Sequence, residues 1–305
     1  MIMTTGIMSK RRAEELFVAL SPLKKEGDKG VMLINQGIYE YGYFNACFLH
    51  NMMSLMVYAL SKGYTPHIDL KDRGKGWTNW STFFEQPLNT DSGTKPDIVC
   101  DVQQGHYFPR FNTPYHKIDL RLWCKVYHRL VRLNDCTRSY VEDEYHRLMA
   151  PLREHNHVGI LGAICRGTDY VKLKPKGHPV QPPVELVIEK AGLLMRQYRL
   201  EYVYLATEEA AIQDRFEAAF PGKIIVNNRT YYDEIFRKNN LEHIYQVEFD
   251  RENDIYLKGL EYLSSLQLLS RCDVLVGGNC GGANAALFMN NMKYKHVDLF
   301  DLGLY

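Results

Sequence analysis

Val158-Gly159-Ile160-Leu161-Gly162-Ala163-Ile164-Cys165, followed at once by Arg166-Gly167-Thr168-Asp169-Tyr170, reads as an apolar strand that runs out into a polar loop. Downstream, the pattern repeats. Helical spacing over residues 182–199, with prolines in the first turn, leads to a strand at 202–206. A helix at 209–220, a strand at 223–226, a long helix at 254–270, a strand at 273–276, a helix at 283–291 and a last strand at 295–299 complete the half. Strands alternating with helices of this length predict an α/β fold with a doubly wound, parallel sheet.

Upstream, residues 31–35 form a strand, 37–43 a Gly- and Tyr-rich loop, 44–61 an apolar helix stopped by Gly63, and 65–70 a second strand. That is a β-loop-α-β unit, the repeating piece of a second parallel sheet. An amphipathic helix at 8–20 precedes it as an appendage. Residues 71–96 lack periodicity, so they read as a surface loop in which Trp77, Trp80, Phe83 and Phe84 are packing or ligand-facing anchors. A short strand at 97–101 and helices at 119–133 and 138–154 follow, placing a boundary near residue 155.

Composition narrows the function. The 305 residues carry 37 Lys plus Arg against 36 Asp plus Glu, so no basic excess calls for nucleic acid or an anionic membrane. Seven cysteines form no CxxC pair or zinc spacing, which fits free thiols in a reducing cytoplasm. No apolar run approaches the ~20 residues of a membrane span, leaving peripheral contact at the inner face of a membrane as the open alternative. The 21 tyrosines offer flat faces with polar edges, which suit sugar rings and half-buried packing alike.

In an open parallel sheet, ligands sit beyond the C-terminal strand ends. Arg166 stands at one such end, where a guanidinium can grip a diphosphate through paired charge-assisted hydrogen bonds. Gly167 lets the backbone turn, Asp169 can hold the Arg, and Lys172, Lys174, Lys176 and His178 add cationic donors nearby. A surface Arg paired with Asp169 is the plainer alternative. Gly277-Gly278-Asn279-Cys280-Gly281-Gly282 lies between a strand and a helix start, where backbone N–H groups favour an anion. It lacks the Gly-x-Gly-x-x-Gly of a dinucleotide loop and the Gly-Lys-Ser/Thr of a P-loop, which argues against a dehydrogenase or an NTPase. Thr207-Glu208-Glu209 follows a third strand and reads equally as a helix cap. Asn35-Gln36, Asp69, His67, His106 and Arg110 lie near other expected strand ends.

With these loops in view, residues 158–290 resemble the nucleotide-sugar domain of the fucosyltransferase superfamily. That group includes α1,6-fucosyltransferases, bacterial α1,2-fucosyltransferases and protein O-fucosyltransferases. Gly162-Ala163-Ile164-Cys165-Arg166-Gly167-Thr168-Asp169 is similar to its His-x-Arg-Arg-x-Asp segment. Val203-Tyr204-Leu205-Ala206-Thr207-Glu208 is similar to its strand ending Ala-Thr-Asp, and residues 269–276 to the helix-to-strand step before its sugar loop. Departures stand at Ile164 for the histidine, Gly167 for the second Arg, and Asn279-Cys280-Gly281-Gly282 for the Ser-rich loop.

The resemblance implies a GT-B-like fold of two Rossmann-like lobes around a cleft, 1–155 on the acceptor side and 156–305 binding the nucleotide sugar. It implies fucose transfer from GDP-fucose to a glycan hydroxyl, of the type used in bacterial surface polysaccharide synthesis, onto an acceptor that a lipid can carry. No cofactor is expected, and the absence of an Asp-x-Asp motif after a strand implies transfer without a metal. Arg166 and Asp169 are the implied catalytic pair. Gly167, Thr168, Tyr170, His178, Thr207, Glu208, Asn279, Cys280, Gly281 and Gly282 would bind the donor, with Glu261 and Gln267 as candidates for base recognition. Asn35, Gln36 and His106 would face the acceptor, and Asp69, His106 and Glu208 are candidates for a base. Another GDP- or UDP-sugar, or a non-catalytic nucleotide- or glycan-binding relative, remains open.

Overall fold

The computed structural model describes residues 29–36, 44–70, 79–90, 93, 95–102, 117–156 and 158–305. The expected helix at 8–20, the loop at 37–43, and Trp77, His106 and Arg110 lie outside them.

The first sheet has the order β2-β1-β3, with β1 (Val31–Ile34) parallel to both β2 (Thr65–Ile68) and β3 (Ile98–Val99). Between β1 and β2 runs α1 (Ala46–Ser61), whose first turn is capped by the Asn45 carboxamide accepting from the Phe48 N–H at 3.0 Å. Apolar residues surround α1 on every side, so it is a core helix and not a surface one. The helix expected at 138–154 breaks at Met149. The chain there forms α2 (Lys117–Leu130), α3 (Asp135–Leu148) and α4 (Ala150–Asn156).

The second sheet has five parallel strands in the order β6-β5-β4-β7-β8. Along the chain these are β4 (Gly159–Ile164), α5 (Thr168–Leu173), α6 (Val184–Tyr198), β5 (Leu200–Ala206), α7 (Ala210–Ala219), β6 (Ile224–Ile225) and α8 (Asp233–Lys238). Then follow α9 (Asp254–Leu269), β7 (Val274–Gly278), α10 (Gly281–Asn290) and β8 (His296–Phe300). Helices α5 and α8 were not expected, because six polar-rich residues carry too little periodicity to signal a helix. Helix α10 begins at Gly281, two residues earlier than expected, so two glycines form its first turn.

Alternation along the strands sorts the core. Leu161, Ala163, Val203, Leu205, Val274 and Val276 face α6 and α7, packing on Val187, Ala191, Ile212 and Phe216. Their neighbours Ile160, Ile164, Tyr204 and Leu275 face the other way, into a core shared with α9, α10 and the first half of the chain. Helix α10 is buried from Gly282 to Met289 and packs on α1, α2 and α9. Trp80, Phe83 and Phe84 belong to this core, with Trp80 stacked on Phe84 at 4.3 Å. They are packing residues, and the ligand-facing alternative for them is excluded by their complete burial.

One glycine fixes how closely β7 meets β4. Gly277 has φ +149°, and a Cβ there would lie 2.1 Å from the Ile164 carbonyl oxygen. Gly277→Ala is expected to lower unfolding free energy by about 2 kcal/mol or more, read as a shift in urea midpoint.

His50 on α1 is fully buried, and burial pushes its imidazole down to about 3 from 6.5. The unfolded chain takes up this proton below pH 6.5 while the folded chain does not. Stability is thus complete above pH 6.5 and falls with acidity, by up to about 1.4 kcal/mol per pH unit, through the window down to about 3. Urea titrations at pH 7 and pH 5 should show this loss, and His50→Met should shrink it.

Candidate active site

Strand β4 delivers Arg166, and the next residues hold it. Its guanidinium pairs with Asp169 at 3.2 Å and lies over the Tyr170 ring at 4.4 Å. Burial alone would weaken its charge, but Asp169 and Glu208 outweigh that, and its pKa rises well above the ordinary value. The Arg166 Nε is buried without a hydrogen-bond partner among the described residues. Asp169 uses its second oxygen to accept from the Ile244 N–H at 3.3 Å, tying residues 243–245 to the same site. The Tyr170 hydroxyl lies 2.9 Å from His178 Nδ1. Burial first, and then Arg166, lowers the His178 pKa, so this ring is neutral at pH 7.

Strand β5 delivers two acids that fasten the start of α5. Glu208 accepts from the Gly167 N–H and the Thr168 hydroxyl, each at 3.2 Å, and Glu209 accepts from the Thr168 N–H. Thr168 sits at φ +42°, and a Cβ on Gly167 would meet Glu209 at 2.1 Å. The Arg166 loop is therefore clamped from below by carboxylates.

Above this loop is a cavity of about 380 Å³. Arg166 and Tyr170 form one wall, and the start of α10 at Gly281 and Gly282 forms the next. Asn45, Ala46 and Cys47, at the start of α1, stand in the same lining. Two helix N-termini, each with roughly half a positive charge at its end, thus share a cavity with a guanidinium, a setting suited to an anion. The far wall carries Arg229 and Tyr232 after β6, His243 to Tyr245, and Lys258, Glu261 and Tyr262 of α9.

Of the residues singled out from sequence, Arg166, Asp169, Tyr170, His178, Glu208, Glu261, Gly281 and Gly282 line the cavity. Gly167, Thr168, Thr207, Asn279 and Cys280 lie behind it. The Thr207 hydroxyl accepts from the Glu209 N–H at 3.3 Å, and the Asn279 carbonyl accepts from Gln181 at 3.0 Å. Cys280 occupies the N-cap of α10 without a side-chain cap bond. Asn35 and Gln36 follow β1 outside the lining, Asp69 accepts from Asn79 at 2.9 Å, and Gln267 donates to the Tyr127 hydroxyl at 3.0 Å. The lysine loop does not supply the site: Lys172 bonds Asn240 and Leu241, while Lys174 and Lys176 are exposed away from the cavity. Arg229 was missed, although Asn227-Asn228-Arg229 directly follows an expected strand and the strand-end rule points to it.

No family model matches this chain, and no curated protein does. Solved structures do match. POFUT1 in complex with GDP-fucose aligns at TM-score 0.50 and 9% identity, covering 92% of this chain and 100% of that one. POFUT1 in complex with GDP aligns at 0.50 and 8%, covering 90% and 99%. The chain has the POFUT1 fold. It is the GT-B-like α/β fold implied by the sequence resemblance. The NodZ alpha-1,6-fucosyltransferase soaked with GDP-fucose aligns at 0.47 and 16%, covering 91% and 96%.

Cys47 tests the enclosure of the cavity. Burial pushes its thiol up to about 12, against the opposing pull of Arg166. At pH 8 only about one molecule in ten thousand carries this thiolate. Iodoacetamide should label the exposed Cys136 of the native protein far faster than the half-buried Cys47, as read by peptide mass spectrometry.

Proposed function

We propose that this protein is a glycosyltransferase that takes a sugar from a nucleoside diphosphate, with GDP-fucose as the donor and a glycan hydroxyl as the acceptor. The observation that carries this reading is that Arg166 and the α10 start, at the ends of neighbouring strands β4 and β7, face one cavity. The shared fold with POFUT1, whose structures hold GDP and GDP-fucose, supports it.

The donor diphosphate lies between Arg166 and the N–H groups of Gly281 and Gly282. As the bond from the anomeric carbon to the phosphate oxygen breaks, negative charge grows on that oxygen, and fixed positive groups stabilise it without reorganising. Asp169 keeps the guanidinium aimed by pairing with it. The sugar lies toward Asn45, Ala46 and Cys47, so the acceptor arrives from the first half of the chain, the 1–155 portion. Charge compensation comes from protein groups in a metal-free transfer, and no cofactor takes part. The proposed setting is cytoplasmic surface-polysaccharide assembly, on an acceptor that a lipid can carry.

A second reading, nucleotide binding without transfer, draws on the state of the cavity carboxylates. Asp169 holds Arg166 and Ile244, Glu208 holds Gly167 and Thr168, and Glu261 holds Arg251 and Thr230. Asp169 and Glu261 are engaged through both oxygens, whereas both bonds to Glu208 fall on its Oε1. In the transferase reading the acceptor proton passes to the departing diphosphate or to Glu208 Oε2.

Arg166→Ala should lower GDP-fucose turnover, hydrolysis included, by about 10²- to 10³-fold, with the melting point checked in parallel. Wild-type protein that binds GDP yet neither hydrolyses nor transfers from GDP-fucose would establish the second reading.

A further inference from the structure

Three cationic side chains line the cavity, and two of them are committed. Arg166 is paired with Asp169, and Lys258 is paired with Asp254 at 3.0 Å while donating to the Val247 carbonyl at 2.8 Å. Arg229 makes no hydrogen bond or ion pair among the described residues, and its Nε is buried without a partner. Its guanidinium carbon stands 5.6 Å from the Tyr231 ring centre, a contact that leaves the planar fork open. The adjacent carboxylate, Glu261, is taken by Arg251 and the Thr230 N–H.

Strand order sets what this fork can reach. Arg229 follows β6, and β6 lies two places from β4 in the sheet. At about 4.8 Å per strand, the β6 end is roughly 10 Å from the β4 end where Arg166 stands. A nucleoside diphosphate held by its phosphates at Arg166 and Gly281 extends its ribose and base over such a span. Tyr245, 41% exposed, lines the same cavity and offers flat apolar surface to a base.

A guanidinium fork needs two acceptors side by side. Guanine presents them at O6 and N7, adenine replaces one with an amino donor, and uracil presents O4 alone. We propose that Arg229 reads the O6/N7 edge of guanine, and thereby makes the cavity selective for a guanine nucleoside diphosphate. This assignment rests on the nucleotide-sugar reading above and adds the residue that reads the base.

Calorimetric titration of the full chain with GDP, IDP, 7-deaza-GDP, ADP and UDP tests it. IDP keeps O6 and N7 and should bind like GDP. 7-Deaza-GDP lacks only the N7 acceptor and should bind about tenfold more weakly, as should ADP and UDP. In Arg229→Ala, the difference between GDP and 7-deaza-GDP should vanish. Melting curves confirm that the variant folds. Equal wild-type affinity for GDP and 7-deaza-GDP overturns the assignment. So does an equal loss of both ligands in Arg229→Ala, because that result places Arg229 on phosphate. If none of the five nucleotides binds, the nucleotide-sugar reading itself fails, an outcome distinct from binding without discrimination.

Discussion

A guanidinium stays charged wherever the fold puts it, so holding Arg166 with only a quarter of its side chain exposed is costly without a carboxylate beside it, and Asp169 is that carboxylate. The same group also bonds the Ile244 N–H, so a single acid sets both the Arg166 end of the cavity and the segment carrying His243 and Tyr245. Asp169 can serve both because α5 turns it back over the β4 end. That turn depends in its own right on Glu208 and Glu209 filling the N–H groups of Gly167 and Thr168. Negative charge at this strand end is therefore spent on holding positive charge in place. The Asp169 bond takes only one terminal nitrogen of Arg166, so the other, Nη1, is what remains available to a ligand.

Such a division of labour makes Asp169 and Glu261, engaged through both oxygens, poor candidates for proton transfer, while Glu208 keeps its Oε2 without a partner among the described residues. A general base needs a lone pair that the protein has not already used. Glu209 illustrates the point: burial raises its pKa, which taken alone resembles a functional signature, yet its oxygen accepts from the Thr168 backbone. A perturbed group that closes a loop and a perturbed group that does chemistry are separated by what their oxygens touch.

Most of the second half was legible because its strands are apolar runs and its helices are long enough to show their period. The first half was less so. Trp80, Phe83 and Phe84 sit in a stretch without periodicity, and local pattern cannot reveal that Phe83 packs against Gly259, far along the chain. Within the site, strand ends located Arg166, Glu208, Gly281 and Gly282, whereas Lys172, Lys174 and Lys176 had the right charge and the wrong direction. Composition reports charge, and only the backbone path reports where it points. Lys258 shows the converse: a charged residue within α9, it is buried and spans Asp254 and Val247. Cys47 and its neighbours could not be found from the second half at all, since α1 reaches the cavity only through tertiary packing.

Helix α10 links that packing to ligand binding. Its first turn, Gly281 and Gly282, lines the cavity, while the residues from Ala283 to Met289 lie at the centre of the core joining both sheets. Gly282 makes the close fit possible: a Cβ there would press on Tyr262 at 3.0 Å and on Ile164 at 3.1 Å, one a wall of the cavity and the other the last residue of β4. An anion bound at this turn is therefore bound to a helix anchored in the core. Binding energy gained there stabilises the folded chain as a whole, because a ligand that contacts only the folded state shifts the unfolding equilibrium by mass action. Conversely, any change that loosens the α10 core moves the N–H groups of Gly281 and Gly282 relative to Arg166, and in the proposed function the two would cease to converge on one diphosphate.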